Sequence, residues 1–303
     1  MGEAALWIGQ IFNGLSVGSI LIMAALGLAF SFGLMRVINM AHGEFLMLGG
    51  YLAFLVQQSV PTPYYPLLSL FIAFLGGALV GWLLESGLVR FLYERPAETL
   101  LATWGISLVL QQAARDLFGP TGVEVTSPPW LAGTLEVRGG VLDGLGLPYV
   151  RLFVIGLALL VLVLLWALLR WTRIGLHIRA VSQNREMAAA LGIHTRAVDG
   201  FVFALGSGLA GLGGAALAFL APVTPTVGQS YIVDAFLVVI LGGLGSLGGT
   251  VIAGLLVGLA SALLQALTSV SLAKVLLLLL VVLILQVRPR GLVSLRSRAL
   301  EEV

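Results

Sequence analysis

The chain has 303 residues, of which 59% are apolar and 10% charged, with a mean hydropathy of +1.07. No water-soluble domain has a core that could bury so much apolar surface, so the composition excludes a soluble protein and places the chain in a bilayer. It has no cysteine, which excludes disulfides and thiolate metal sites, and its net charge of +2 is too small to read as a nucleic-acid footprint.

Met1–Gly9 carries no basic residue, and the first apolar run extends from Ala4 to Met35. A cleaved signal has a basic start and a shorter apolar core, so this run is expected to be a retained span. Hydropathy predicts about nine crossings, at 10–35, 45–58, 66–89, 99–114, 150–169, 200–221, 231–242, 250–268 and 270–287. The expected fold is all-α, a polytopic membrane helix bundle of about eight to ten segments forming one domain over 1–303. Segments 45–58, 99–114 and 231–242 are short and ringed by polar residues or glycine, so they are expected to be broken or re-entrant.

Within the first run, Gly14-Leu-Ser-Val-Gly18 has the letters of a nucleophile elbow. That motif needs a strand, a turn and a helix, whereas this one sits inside an apolar helix, so an intramembrane protease using Ser16 and His42 is a minor alternative. Asn39, His42 and Glu44 follow, between the first two spans, and the fourth segment opens with Thr99, Thr103 and Trp104 and ends on Gln111 and Gln112. Asp234 lies beside the last short segment. Polar groups at membrane depth are costly, and those near interrupted helices point to a solute path, so Asn39, His42, Glu44, Thr103, Gln111, Gln112 and Asp234 are candidate path residues. Each also admits a structural reading: Glu44 suits a helix N-terminus, and Asp234 could pair with an arginine or a backbone amide.

Residues 115–148 form the longest loop on one side, with Pro128, Pro129, glycine turns and an alternating stretch at Thr134–Val137 that predicts a short hairpin. On the other side, 172–199 is a basic island. Asn184 can cap a helix, Glu186 falls in its first turn, alanines including Ala188 follow, and Gly192 stops it. So short a helix cannot hold itself together in water, and it needs a surface to dock on.

The glycine-rich stretch Leu241–Thr250 has no lysine, and the single lysine of the chain, Lys274, follows Leu-Ala. There is no phosphate loop, so the chain cannot hydrolyse ATP alone. His42, His177 and His194 are not at metal-ligand spacing. Small residues recur at spacing four in Gly14/Gly18, Gly77/Gly81, Gly254/Gly258 and Gly206/Ala210/Gly214/Ala218, and internal helix packing is the favoured reading over a dimer interface. With the N-terminus outside, twelve of the sixteen basic residues fall inside (Arg36, Arg90, Arg95, Arg170, Arg173, Arg179, Arg185, Arg196, Arg288, Arg290, Arg296, Arg298), and Arg115, Arg138, Arg151 and Lys274 fall outside.

Glu186-Met187-Ala188, with Gly192 beyond, is similar to the EAA-type loop of ABC-importer membrane subunits, although Met187 replaces an alanine and no proline follows at the usual distance. Ala24–Met35, Val37-Ile-Asn-Met-Ala-His-Gly-Glu44, Leu241-Gly-Gly-Leu-Gly-Ser246 and Arg288-Pro-Arg-Gly291 resemble the branched-chain amino acid permease family. Within it, Asn39–Glu44, Thr99–Gly105, Val125–Trp130 and Tyr231–Phe236 resemble the first membrane subunit of urea ABC transporters.

The resemblance implies a permease subunit with no enzymatic activity and no cofactor of its own, ATP and Mg being bound by partners. It implies import of urea or a short amide, with a branched-chain amino acid as the alternative cargo and an ATP-independent amide channel as the alternative class. Physical chemistry adds that urea is neutral and that amide and carboxylate side chains would suffice to bind it. The implied partners are a second related permease subunit, two cytoplasmic ATPases docking on 172–199 through Asn184, Glu186, Ala188 and Gly192, and an extracytoplasmic binding protein docking near 115–148. The implied location is the bacterial cytoplasmic membrane, with the C-terminus inside and no nucleic-acid partner.

Overall fold

A computed structural model describes residues 3–35, 37–60, 64–93, 95–137 and 145–293. The helices are α1 (Glu3–Met35), α2 (His42–Ser59), α3 (Tyr65–Gly87), α4 (Pro96–Phe118), α5 (Tyr149–Trp171), α6 (Arg173–Gln183), α7 (Arg185–Ala190), α8 (Thr195–Ala218), α9 (Val227–Gly242), α10 (Leu247–Leu267) and α11 (Val270–Val287). Before α5, strands β1 (Thr134–Val137) and β2 (Leu145–Pro148) pair antiparallel, in the hairpin anticipated from the alternation. Six helices, namely α1, α3, α5, α8, α10 and α11, are long and apolar enough to cross a membrane.

The expectation of broken helices at 45–58 and 99–114 is corrected. Both lie within continuous helices, α2 of 18 residues and α4 of 23. Hydropathy understated α4 because its buried face is polar: Thr99, Thr103, Ser107 and Gln111 recur every fourth residue and all point inward. Segment 231–242 belongs to α9, which is short at 16 residues and unbroken.

Helix α8 runs through the centre, and glycines make that possible. A Cβ on Gly27 of α1 would stand 2.8 Å from the Gly206 carbonyl carbon, one on Gly49 of α2 would stand 2.5 Å from that of Gly211, and one on Gly77 of α3 would stand 2.7 Å from the Ser207 oxygen. On the far side of α1, a Cβ on Gly18 would stand 2.9 Å from the Gly254 oxygen of α10. Lipid tails offer no hydrophobic drive between helices, so cohesion comes from dispersion between backbones at this closeness. The small-residue series therefore face inward and are used within the chain. Outward faces of α5 and α11 are apolar and exposed, as at Leu159, Leu164 and Leu283.

The bundle has two distinct ends. At one, Val123 pairs with Val223, and the hairpin residue Leu145 lies beside Gly9 at the start of α1. At the other, the α3–α4 connection, α6, α7, the α9–α10 turn and residues 288–293 gather, the last tied in by Leu292 N–H donating to the Leu241 carbonyl. Arg90, Arg95, Arg170, Arg173, Arg179, Arg185, Arg196, Arg288 and Arg290 belong to this arginine-rich end. Arg115 and Arg151 belong to the opposite end, and Lys274 to the start of α11 that departs from it. Arg36, Arg138, Arg296 and Arg298 lie outside the described residues.

Candidate functional site

The chain leaves α1 and turns back before α2 begins. His42, the first residue of α2, donates from Nε2 to the carbonyl oxygen of Ala24 at 2.9 Å. Ala24 precedes the end of α1 by eleven residues, about 16 Å of helix. Residues 37–41 are therefore irregular backbone inside the bundle, where every peptide group needs an internal partner. Asn39 Oδ1 accepts from Ala41 N at 3.0 Å, and Thr103 Oγ1 accepts from Met40 N at 3.0 Å. Asn39 and Thr103 thus supply the hydrogen bonds that a helix would have made for itself.

Glu44 follows one residue after Gly43, 1% exposed. Its Oε1 accepts from Ser107 Oγ at 2.9 Å and from Gln111 Nε2 at 2.8 Å, and Gln111 also donates to Ser107 at 3.0 Å. Its Oε2 has no partner among the described residues, nor have Asn39 Nδ2 and His42 Nδ1. The first turns of α2 and α9 abut here: a Cβ on Gly228 would stand 2.6 Å from Glu44 Oε2. Two helix N-termini, each with a positive dipole end, therefore face one buried carboxylate.

Five expected path residues, Asn39, His42, Glu44, Thr103 and Gln111, thus come together, and Ser107 joins them. Ser107 was missed in the sequence although it completes the four-residue spacing from Thr103 to Gln111. Two expected residues stand apart. Gln112, next to Gln111, is turned away from the cluster by the helical rotation, is exposed, and donates to Asp116 at 2.9 Å. Asp234 lies on α9, 3.9 Å from Lys274 Nζ on α11. Ser16 is buried within continuous α1 with its hydroxyl unpartnered, and no hydrogen bond joins it to His42, so no nucleophile elbow is formed.

A second buried cluster at the arginine-rich end was not anticipated. Glu85, on the last turn of α3 and 0% exposed, accepts from Tyr93 Oη at 2.7 Å and from Arg90 Nη2 at 3.2 Å. Burial, and the hydrogen bond to Glu85, hold the Tyr93 phenol far above its ordinary pKa, so it remains a donor at any working pH. The Arg185 guanidinium lies 5.8 Å from the Tyr93 ring centroid and grips Asp199 through both terminal nitrogens, one of them at 3.2 Å. These charges sit at helix ends, where the sequence reads as ordinary flanking arginine.

Helix α7 has the local design read from the sequence. Asn184 Oδ1 accepts from Met187 N at 2.9 Å as the N-cap. Gly192 adopts φ +86°, and Ile193 N donates to Ala188 O at 3.1 Å, closing the C-terminus. Ala188 is buried against the body of the protein, while Met187 and Leu191, 59% and 76% exposed, stand out with Glu186. A cavity of 890 Å³ opens beside α7, bounded by Met35, Val37, Tyr93, Thr99, Ser182 and Arg185 among others.

The family profile described as branched-chain amino acid transport system / permease component matches residues 10–285. The high-affinity branched-chain amino acid transport system permease protein LivH of Salmonella typhimurium is 29% identical over 302 residues, covering 94% of each chain. The permease protein BraD of the corresponding system of Pseudomonas aeruginosa is 28% identical, covering 86% of this chain and 87% of its own. A probable LivH of Methanocaldococcus jannaschii is 27% identical, covering 87% and 81%. No solved structure matches.

Proposed function

The chain belongs to the branched-chain amino acid transport system permease family, and from that premise we propose that it is the membrane subunit of an ABC importer carrying branched-chain amino acids inward. The observation that carries this is the match of residues 10–285, which reaches from within α1 to within α11 and takes in the spanning helices between them, both polar clusters and α7. The relatives are named for branched-chain amino acids, so the cargo is read as the amino acid in preference to urea or a short amide.

Glu44 is compatible with that cargo. A zwitterion brings an ammonium and a carboxylate into a region where neither is solvated. The unpartnered Glu44 Oε2 gives the ammonium an acceptor, and the N-termini of α2 and α9 favour the carboxylate. Asn39 and Thr103 keep the irregular backbone beside it in place, and Gln111 and Ser107 fix the Glu44 rotamer.

The arginine-rich end is read as cytoplasmic and the hairpin end as external. ATP and Mg are handled by two partner ATPases that dock on α7 through Glu186, Met187 and Leu191. A binding protein delivers solute near residues 115–148, and a second permease subunit completes the membrane part. Calorimetric titration of the cognate binding protein with leucine, isoleucine, valine and urea tests the cargo. Binding of urea with no binding of the three amino acids would refute it. ATP-independent solute flux through the purified chain alone would return the channel reading to favour.

A further inference from the structure

Helix α7 has six residues and cannot be stable alone, so what fastens it decides what its displacement moves. Its first residue, Arg185, forks onto Asp199, which is 1% exposed in the second turn of α8. The guanidinium carbon lies over the ring of Tyr93, which is anchored by its hydroxyl to Glu85 on α3. A rigid fork on a buried carboxylate transmits direction as well as force, because both N–H···O bonds must break before the pair can rotate.

What lies behind the fork is stiff. A Cβ on Gly211 of α8 would meet the Ala73 oxygen of α3 at 2.5 Å, and one on Gly77 would meet the Ser207 oxygen at 2.7 Å, so α3 and α8 lock backbone to backbone. Movement delivered at Arg185 is not absorbed between them. It falls on the cavity, which is lined by Arg185 and Tyr93 and also by Met35 at the end of α1 and Val37 in the irregular stretch beyond it. Thr99 also borders the cavity, and it is the first of the four polar residues on α4 that lead through Thr103 and Ser107 to Gln111 beside Glu44.

We propose that the Arg185–Asp199 fork, braced by Tyr93 on Glu85, is the joint through which displacement of α7 opens and closes this cavity, and that the cavity is the inner mouth of the solute path. The inference rests on the ATPase-coupled reading above. Arg185, Asp199, Tyr93 and Glu85 act as positioning residues and need not touch solute.

The test uses the assembled transporter in nanodiscs. Since this chain has no cysteine, Met35→Cys places its single thiol in the cavity. The rate of labelling by a polar maleimide is measured without nucleotide and after trapping with ATP and vanadate. The two rates should differ about fivefold or more, the scale of ordinary coupling between sites. Asp199→Asn should reduce the difference to less than about twofold with the ATPases still bound, and the exchange Arg185→Asp with Asp199→Arg should restore part of it. Arg185→Lys keeps the charge but not the fork, and it makes the same comparison should Asp199→Asn fail to assemble.

Equal labelling in both states with the native pair overturns the cavity assignment. A full nucleotide-dependent change in Asp199→Asn or Arg185→Lys overturns the joint. Failure of the ATPases to co-purify with the unaltered chain instead refutes the ATPase-coupled function on which the inference stands.

Discussion

Replacing Gly214 by alanine should loosen the bundle at its centre. The added Cβ would fall 2.5 Å from the carbonyl carbon of Leu46 on α2, 2.7 Å from its Cα, and closer still to its oxygen. Ordinary carbon–carbon contact begins near 3.5 Å, so α2 and α8 must part by about 1 Å or more. A gap of that size removes roughly half of the dispersion energy of the atoms facing each other across it. Overpacking of this kind costs about 1–3 kcal/mol, and the upper end applies because the atoms in the way are backbone. The gain in helix propensity on replacing glycine, about 1 kcal/mol, leaves a net loss near 2 kcal/mol. Gly156 on α5 is the control, because it has nothing within 4 Å of its Cβ position. There the propensity gain acts alone, and Gly156→Ala should be neutral or stabilising by up to ~1 kcal/mol. Reversible unfolding in mixed micelles, followed by the fluorescence of the six tryptophans, separates the two variants. If Gly214→Ala proves as stable as Gly156→Ala, close backbone approach is not what holds α2 to α8.

Glu44→Gln should leave the fold at least as stable, since a buried charge is removed while Ser107 and Gln111 retain an acceptor, yet leucine uptake into proteoliposomes should fall at least about tenfold. Gln112→Ala, on the exposed side of α4, should leave uptake within about twofold, the result expected when a residue lies off the path. Gly192→Ala forces an alanine to φ +86° at a cost of about 1–2 kcal/mol, and Glu186→Ala alters the exposed side of the same helix. Each should weaken ATPase co-purification, with thermal unfolding little changed in Glu186→Ala and modestly lowered in Gly192→Ala, and normal transport with intact coupling in both would remove the docking role of α7. Lys274→Met should cost less than about 1 kcal/mol, since its pairing with Asp234 is long and the lysine half-exposed; chemical denaturation of the purified chain measures it.

The polar residues themselves were legible in the sequence, but their partition between path and scaffold was not. Asn39, His42, Glu44, Thr103 and Gln111 stood out because polar groups in an apolar chain are conspicuous. That Asn39 and Thr103 serve the backbone became visible only once residues 37–41 were seen to re-enter the bundle. Adjacent glutamines read alike in a sequence, yet a helix turns about 100° per residue, which puts Gln111 on Glu44 and Gln112 outside. Ser107 was passed over because serine is unremarkable in a spanning helix. Glu85, Tyr93 and Asp199 were missed for a different reason: charges at helix ends are the rule in membrane proteins, and burial, which singles these out, depends on contacts distant along the chain. Short hydropathy at 99–114 misled because an apolar run cannot distinguish a broken helix from one with a polar inner face, and at 45–58 because α2 is a short but continuous helix whose first turn holds His42 and Glu44.

The turn between α1 and α2 also constrains the order in which the molecule can be made. As α2 leaves the ribosome it carries His42 and Glu44 in its first turn, just after Asn39 in the turn before it, and Met40 N–H has its partner on Thr103, more than sixty residues later. Gly49 and Leu46 pack on Gly211 and Gly214 of α8, later still. Lipid can supply none of these contacts. Helix α2 therefore cannot take its final depth when it is synthesised, and it must wait, shielded at the insertion machinery or near the membrane surface, for helices encoded well downstream. Nascent chains ending before α4, and those ending after α8, should consequently hold the same segment at different depths.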